Sequence, residues 1–208
     1  MQIEEQVQGV ELTLQTNEEV FSPGAVDRGT KAMLSFVSFS PEDKILDLGC
    51  GCGVVGICAA KQAGAKQVFM CDVSENAVNL SKKNAVTNGV EEVTVLLSDG
   101  LKGVEETGFT LILSNPPYHT DFSVAKEFIE DGYKKLVTGG KMLMVTKRLD
   151  WYRNKLSSVF GGVTVKEKDG YYVFIAEKRG DRKPKKEKKN RQVMSKKLQR
   201  KYGSKLAK

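Results

Sequence analysis

Long hydrophobic runs are missing from this 208-residue sequence, and none approaches the roughly 18 consecutive apolar residues that a membrane-spanning helix needs. The first ten residues, MQIEEQVQGV, also lack the basic start and the apolar centre of a secretory signal. These absences predict a soluble, cytoplasmic protein with no membrane partner. At this length, with 40% hydrophobic residues, the chain can form one domain with a sizeable core.

Candidate metal ligands are scarce. The sequence has one histidine, His119, and four cysteines that lie within 22 positions without the paired C-x-x-C spacing of a zinc site. The cysteines are Cys50, Cys52, Cys58 and Cys71. Their apolar or glycine-rich surroundings predict buried free thiols, which fits a reducing compartment, and no bound metal.

Charge is divided unevenly along the chain. Residues 178–208 carry 15 lysines and arginines against two acids, a net charge of +13, whereas residues 1–177 carry 18 against 24, a net charge of −6. We therefore divide the chain into an N-terminal extension (1–20), a globular domain (21–177) and a basic tail (178–208).

The basic tail has too few apolar residues to form a core and is expected to be disordered when free. Its apolar residues recur every four positions, at Met194, Leu198, Tyr202 and Leu206, so it could form an amphipathic helix on contact with a partner. RNA is a suitable polyanion for such a tail. The alternative is a tail that only increases solubility.

Residues 21–177 alternate between two kinds of segment. Short apolar runs typical of strands covered on both faces occupy residues 44–49, 67–72, 93–99, 109–115 and 141–146. Helical patterns occupy residues 54–63, 75–88, 123–137 and 150–160. This alternation predicts a mostly parallel sheet with helices on both faces.

Three local patterns add detail. In the second helix Ser74 can cap the first turn, and Asn88-Gly89 supplies the stop. Its predicted buried face is Ala77, Val78, Leu80, Ala85 and Val86.

Near the end of the domain, Asp169-Gly170 joins two β-rich runs and predicts an antiparallel hairpin. Before the domain, VELTLQT predicts one extra strand.

The first strand of the domain leads into DLGCGCGVVG. Its glycines allow a tight turn and close approach of a ligand to the start of the next helix, although Gly51-x-Gly53-x-x-Gly56 also fits a dinucleotide-binding loop. Asp72 ends the second strand, where an acid can bind the ribose hydroxyls of a dinucleotide or of an adenosyl cofactor. Asp47 favours a ligand with an ammonium group, because a carboxylate there would repel a pyrophosphate.

The segment SNPPYHTD follows the fourth strand and should lie at the same edge of the sheet. If the Asn115 side-chain oxygen and the Pro116 carbonyl each accept one N–H of an exocyclic amine, the lone pair of its nitrogen can point at an electrophilic methyl group. The two prolines make the corner rigid, and Tyr118 can stack on the base. The simpler alternative is a turn that only terminates the strand.

In order and spacing, LDLGCGCGVVG, CDVSENAV, LLSDG and SNPPYH resemble class I S-adenosylmethionine-dependent methyltransferases, specifically their small-domain branch. That branch includes bacterial guanine-N2 methyltransferases of ribosomal RNA. EVFSPGAVDRGTKAML is similar to the segment that runs over the cofactor into the first helix of those enzymes, so the resemblance covers about residues 18–177. It implies a Rossmann-like α/β fold with a mostly parallel seven-stranded sheet, a C-terminal antiparallel hairpin and helices on both faces.

The resemblance also implies roles for individual residues. The implied cofactor site comprises Asp47, Gly49, Cys50, Gly51, Gly53, Asp72, Val73, Asp99, Gly100 and Asn115. In it, Asp72 would bind the ribose and Asp99 the adenine amine of S-adenosylmethionine, which leaves as S-adenosylhomocysteine. The implied catalytic residues are Asn115, Pro116, Pro117 and Tyr118, and the implied substrate contacts are Phe21, Tyr118 and His119. His119 is expected to contact the base or a phosphate, with catalytic base as the alternative.

The expected activity is N-methylation of an exocyclic amine of an RNA base, with guanine N2 of ribosomal RNA as the leading target. Adenine N6 of tRNA or rRNA and glutamine N5 of a protein are alternatives, because relatives with those substrates also carry NPPY. The longer guanine-N2 enzymes have a duplicated N-terminal domain that this chain lacks, so substrate placement is expected to come from elsewhere. A nicotinamide-dependent oxidoreductase and a non-catalytic RNA-binding module are rival classes.

Overall fold

The computed structural model describes residues 1–18, 24–117 and 122–180. Phe21, Tyr118, His119 and the apolar stripe of the basic tail lie outside these described residues. In chain order the elements are β1 (Gln2–Val7), β2 (Val10–Gln15), α1 (Arg28–Leu34), β3 (Ile45–Leu48), α2 (Val54–Ala63), β4 (Val68–Asp72), α3 (Glu75–Thr87), β5 (Thr94–Leu97), β6 (Phe109–Ser114), α4 (Phe122–Lys135), β7 (Leu136–Thr146), α5 (Asp150–Phe160), β8 (Thr164–Lys168) and β9 (Tyr171–Glu177). A 3₁₀ turn, Ala65–Gln67, precedes β4.

The main sheet has seven strands in the order β5-β4-β3-β6-β7-β9-β8. Its strands run parallel from β5 to β7, and β9 and β8 pair antiparallel at the far side. The hairpin turns at Asp169 and Gly170, whose φ angles of 52° and 77° belong to the turn type that Asp-Gly favours. The predicted fold class, including the C-terminal hairpin, is therefore confirmed.

Helices cover both faces of the sheet, as the apolar strand sequences predict. On β6, Leu111 and Leu113 pack with residues of α1, α2 and α3, whereas Ile112 between them packs with α4 and α5. This alternation follows from the two-residue period of a strand. All four cysteines are buried and free, as expected. Within the described residues, no helix combines the length and the apolar character needed to cross a membrane.

The N-terminal extension contains more structure than the single predicted strand. Besides β2, which matches VELTLQT, the chain forms β1, and the two strands pair antiparallel as a separate sheet. Gln8 and Gly9 make the turn with φ angles of 52° and 76°. The sequence signal was weak because Gln-Gly is not one of the dipeptides that favour positive φ at both turn positions.

Two asparagines attach this hairpin to the domain, Asn84 within α3 and Asn88 at its C-cap. Asn84 exchanges hydrogen bonds with the backbone of Gln15, 2.7 Å to its N–H and 2.9 Å to its carbonyl, and also donates to the Cys52 carbonyl at 2.9 Å. Asn88 bonds the N–H and the carbonyl of Thr13 at 3.1 and 2.7 Å. These amides imitate a neighbouring strand and satisfy backbone groups of β2.

The prediction that Val86 belongs to the buried face of α3 is wrong, because its side chain is 65% exposed. The inward positions are taken by Ser81 and Asn84, which the apolar pattern overlooked because they are polar. Ser74 does cap the helix, accepting from Ala77 N–H at 3.3 Å, and Asn88 with Gly89 ends it. The apolar periodicity did not predict helix α1, because its seven residues are too few to show a helical period.

We expect Asn84→Ala to lower the free energy of unfolding by about 2–3 kcal/mol, because it removes two hydrogen bonds to the Gln15 backbone and leaves the buried Cys52 carbonyl without this partner. Urea denaturation measures the loss. Lys83→Ala, at the exposed neighbouring position, is the control and should change stability by less than about 0.5 kcal/mol. Equal stability of the two variants would contradict the proposed attachment.

Candidate active site

A cavity of about 350 Å³ opens at the carboxyl edge of the parallel strands. Segments that follow β3, β4, β5 and β6 all contribute to it, as does α4. Its lining comprises Leu48, Gly49, Gly51, Cys71, Asp72, Val73, Ser74, Ala77, Ser98, Asp99, Gly100, Asn115, Pro116, Pro117, Val124 and Phe128. Open α/β sheets bind ligands at this edge, and the volume lies in the range of small-molecule sites.

The glycine loop after β3 is held against the end of β4 by backbone bonds. The N–H groups of Gly49 and Cys50 both donate to the Cys71 carbonyl, at 2.9 and 3.0 Å. Gly51 N–H donates to the Asp72 carboxylate at 2.9 Å. The loop and Asp72 therefore form one rigid wall of the cavity.

Two glycines of this loop, Gly51 and Gly53, have different structural roles. Gly53 caps α2 with a φ of 89°, and a Cβ there would lie 3.1 Å from the Ser81 hydroxyl, which itself donates to the Gly51 carbonyl at 2.9 Å. Gly53 does not line the cavity, and its contribution is the packing of α2 against Ser81. Gly51 also has positive φ, but a Cβ there would meet nothing within 4 Å, so the chain at this point borders open space.

The Asp72 carboxylate is oriented by two backbone donors. One oxygen accepts from Gly51 N–H and the other from Ser74 N–H, each at 2.9 Å. Val73, between Asp72 and Ser74, is apolar, lies at the cavity wall and is 70% exposed. A fixed acceptor beside an apolar surface suits a ribose next to a flat ring.

Asp47 lies behind the glycine loop rather than in the main cavity. It lines a smaller cavity of about 80 Å³, together with Cys50, and this cavity shares Gly49, Gly51 and Asn115 with the main one. The carboxylate is 3% exposed and accepts from Gly56 N–H at 2.9 Å. Burial, with a smaller contribution from the nearby negative charge of Asp72, raises the pKa of Asp47 to about 7, although the Gly56 bond opposes this.

The segment after β5 forms the other side of the main cavity. Ser98 braces it, since its hydroxyl accepts from Gly103 N–H and donates to the Gly100 carbonyl, both at 2.9 Å. The Asp99 carboxylate is exposed and pairs with Lys102. Gly100 has a φ of 58°, and a Cβ there would lie 3.4 Å from the Phe128 ring.

The Asn-Pro-Pro corner is fixed by contacts that hold the Asn115 amide. Its nitrogen donates to the Asp27 carboxylate at 2.9 Å and to the Thr30 hydroxyl at 3.0 Å. Because both partners can accept, this pair determines that the amide nitrogen faces α1, and the opposite orientation would place the amide oxygen against a carboxylate. Pro116 and Pro117 follow directly along the cavity wall.

The same corner is tied to the glycine loop. Strands β3 and β6 pair in parallel, and the Ser114 hydroxyl donates to the Leu48 carbonyl at 2.8 Å. The residues immediately after this bond are Gly49 on one strand and Asn115 on the other, and both line the main cavity. The structure thus brings together the two motifs that the sequence places 66 residues apart.

Several residues of the site have only weak signals in the sequence. Asp27 is the N-cap of α1, accepting from Thr30 N–H at 2.9 Å, and a D-x-x-T capping pattern could have identified both residues. Val124 and Phe128 are four residues apart on α4, and this spacing places them on one helix face toward the cavity. Phe21, Tyr118 and His119 lie outside the described residues, so their predicted contacts with the substrate stay predictions.

Known proteins share this sequence pattern and this fold. Residues 11–175 match the family described as "Methyltransferase small domain". The chain is 33% identical over 174 residues to the uncharacterized protein YbxB of Bacillus subtilis, an alignment that covers 81% of this chain and 87% of that one. It is also 33% identical over 162 residues to ribosomal RNA small subunit methyltransferase C of Pseudomonas putida, covering 76% of this chain and 48% of that enzyme.

A solved structure with a similar fold is that of the Thermus thermophilus 16S rRNA N2 G1207 methyltransferase (RsmC) in complex with AdoMet and guanosine. Its TM-score is 0.76 at 26% identity, and the alignment covers 86% of this chain and 50% of that one. The chain thus spans about half the length of the named ribosomal RNA methyltransferases that it matches. With residues 11–175 matching the family and two relatives at 33% identity, the chain belongs to the methyltransferase small domain family.

Proposed function

We propose that this protein is an S-adenosylmethionine-dependent N-methyltransferase that acts on an exocyclic amine of an RNA base, with guanine N2 of ribosomal RNA as the target. The observation that carries the proposal is the shared cavity, in which the glycine loop with Asp72 and the Asn115-Pro116 corner face a common space. Membership of a methyltransferase family argues against the oxidoreductase that the glycine pattern also allows.

The residues of the cavity fit S-adenosylmethionine. The carboxylates of Asp72 and Asp99 suit ribose hydroxyls and an adenine amine, and the apolar surfaces of Val73 and Phe128 suit a flat ring between them. Asp47, behind the loop, suits the ammonium group of the methionine portion. When bound, the cofactor supplies an electrophilic methyl group on a sulfonium.

The chain's own part in the reaction is to orient the amine. Asp27 and Thr30 hold the Asn115 nitrogen, so the Asn115 oxygen can accept one N–H of the base while the Pro116 carbonyl accepts the other. An exocyclic amine is a poor nucleophile because its lone pair is delocalised into the ring. Two acceptors in fixed positions favour a tetrahedral nitrogen with its lone pair directed into the cavity, and such positioning contributes several kcal/mol.

The RNA target and the guanine base are supported by the relatives. The Pseudomonas enzyme is named for ribosomal RNA, and the Thermus enzyme for N2 of a guanine in it. We therefore favour guanine N2 over adenine N6 and over glutamine N5. Incubation with labelled S-adenosylmethionine and bulk RNA from cells lacking the protein, followed by nucleoside mass spectrometry, tests this choice. N2-methylguanosine is the expected product, whereas N6-methyladenosine or labelled protein would contradict it.

We expect Asp72→Asn to weaken S-adenosylmethionine binding at least about tenfold, because an amide nitrogen replaces one of the two oxygens that accept hydrogen bonds. Isothermal calorimetry measures the dissociation constant. Glu75→Gln, which removes the same charge from an exposed position three residues away, should leave it within about twofold. Heat of binding with a nicotinamide dinucleotide, and none with S-adenosylmethionine, would favour the oxidoreductase instead.

We expect Asn115→Ala to reduce kcat about 100-fold while S-adenosylmethionine binds within a few-fold of the wild-type affinity, because the amine loses one of its positioning acceptors. Single-turnover methyl transfer to RNA and calorimetry separate the two effects. Lys126→Ala, at an exposed position on α4, is the control. Full methyl transfer by Asn115→Ala would instead indicate that the corner only terminates β6.

Burial makes the ionised form of Asp47 unfavourable. Its pKa in the folded protein, about 7, lies above the ordinary value of 3.8, so the folded protein holds a proton that the unfolded chain releases. The free energy of unfolding therefore falls as pH rises from about 4 to about 7.

We expect Asp47→Asn to keep the Gly56 bond and to be more stable than wild type, by a larger margin at pH 8 than at pH 5. Urea denaturation at both pH values tests this, with Glu91→Gln as the control, and an equal difference at both would contradict it.

A further inference from the structure

A group of cations and aromatic rings lies at the carboxyl end of β7, beside the proposed active site. It consists of Phe122, at the start of α4, Lys147 and Arg148, which follow β7, and Trp151, in the first turn of α5. We call these four residues the β7 rim. Lys147 and Arg148 are exposed, and the two rings are half-buried.

The rim is built by ring contacts. Phe122 and Trp151 stack with their centroids 4.3 Å apart and their planes 13° from parallel, and the Arg148 guanidinium lies over the Phe122 ring at 5.0 Å. Below them Tyr152 meets the Trp151 ring edge-on at 5.1 Å and stacks near Phe174 of the core. Arginine suits such a position, because its guanidinium can lie on aromatic faces and its fork of N–H groups matches the geometry of phosphate oxygens.

The rim adjoins the cavity on two sides. Ser114 pairs with Met144, so β7 continues only two residues further before Lys147, at the same edge where Asn115 and Pro116 follow β6. Helix α4 begins with Phe122 in the rim and lines the cavity with Val124 and Phe128, two and six residues further on. A chain that crosses the rim would therefore lead directly to the Asn-Pro-Pro corner.

Lys147 connects the rim to the residues that hold Asn115. Its ammonium group lies 5.0 Å from the centre of the Tyr171 ring. The same ring packs so closely on Gly29 that a Cβ there would lie 2.8 Å from it. Gly29 sits between Asp27 and Thr30, the two anchors of the Asn115 amide.

The charges around the rim favour an anionic partner. Residues 1–177 carry a net charge of −6, yet two successive exposed cations follow β7 at the edge of the sheet where the cavity opens. Two acids that the structure describes here have other partners: Asp150 pairs with Arg153 at 2.8 Å, and Asp27 accepts from the Asn115 amide and from the Thr30 N–H. Cations interleaved with accessible rings match the phosphates and bases of a single strand, since stacking accepts any base.

We propose that the β7 rim binds single-stranded RNA next to the target nucleotide, with Lys147 and Arg148 on phosphates and Trp151 against a flanking base. This inference rests on the proposed function, since it assigns to the described domain a part of substrate placement. It gives the strand a fixed direction into the cavity, which a basic tail alone would not supply.

The sequence contains one tryptophan, so the intrinsic tryptophan fluorescence of the full chain reports on the rim alone. A 12-nucleotide unstructured RNA, titrated without cofactor, should quench this fluorescence in parallel with the rise in anisotropy of a labelled copy of the RNA. In the double variant Lys147→Ala, Arg148→Ala, the RNA concentration at half-maximal binding should rise about fivefold. The slope of log affinity against log salt should shrink by about 1.4, as expected for two lost phosphate contacts on a single strand.

Lys82→Ala, Lys83→Ala is the matched control, because it removes two exposed cations from α3. Its midpoint should rise less than twofold. RNA binding without any change in tryptophan fluorescence, an equal loss in both double variants, or equal quenching by polyglutamate would overturn the proposal. The titration contains no cofactor, so its result does not depend on catalysis. If a separate assay with S-adenosylmethionine showed no methyl transfer while the quenching was intact, that result would count against the proposed function and not against the rim.

Discussion

The pairing of β3 with β6 at the centre of the sheet is the constraint on which the site depends. It places the two strand ends side by side, and the Ser114 hydroxyl closes the junction by donating to the Leu48 carbonyl. From there one strand continues into the glycine loop and the other into the Asn-Pro-Pro corner. Rigid turns after two adjacent parallel strands can create a small-molecule cavity without any long loop.

Each wall of that cavity is fixed by hydrogen bonds to charged or polar side chains. Asp72 accepts from two backbone N–H groups of its neighbouring turns, and Asp27 with Thr30 determines the orientation of the Asn115 amide. Preorganised acceptors cost little reorganisation when a reactant arrives. Asp47 differs, because burial disfavours its charge and raises its pKa to about 7.

Much of this architecture could be predicted because its signals are local. Apolar runs, the Ser74 cap and the Asp169-Gly170 turn each act within a few residues, and α2 spans the residues that its pattern predicted. What the sequence did not reveal depends on distant partners. The burial of Asn84 in place of Val86 requires the hairpin at Thr13 and Gln15, and the role of Asp27 requires Asn115, 88 residues away. The position of the Asn-Pro-Pro corner at the carboxyl edge of the sheet could be predicted, but the residues that anchor it could not.

We propose that one cavity holds a methyl donor on the glycine loop and a base amine on the Asn-Pro-Pro corner. A crystal structure with S-adenosylhomocysteine and guanosine would show whether the two ligands share it. We expect the ribose of the cofactor product on Asp72, and the guanine N2 within hydrogen-bond distance of the Asn115 side-chain oxygen and the Pro116 carbonyl. A base bound away from Asn115, or a cofactor product outside the cavity, would rule out this arrangement.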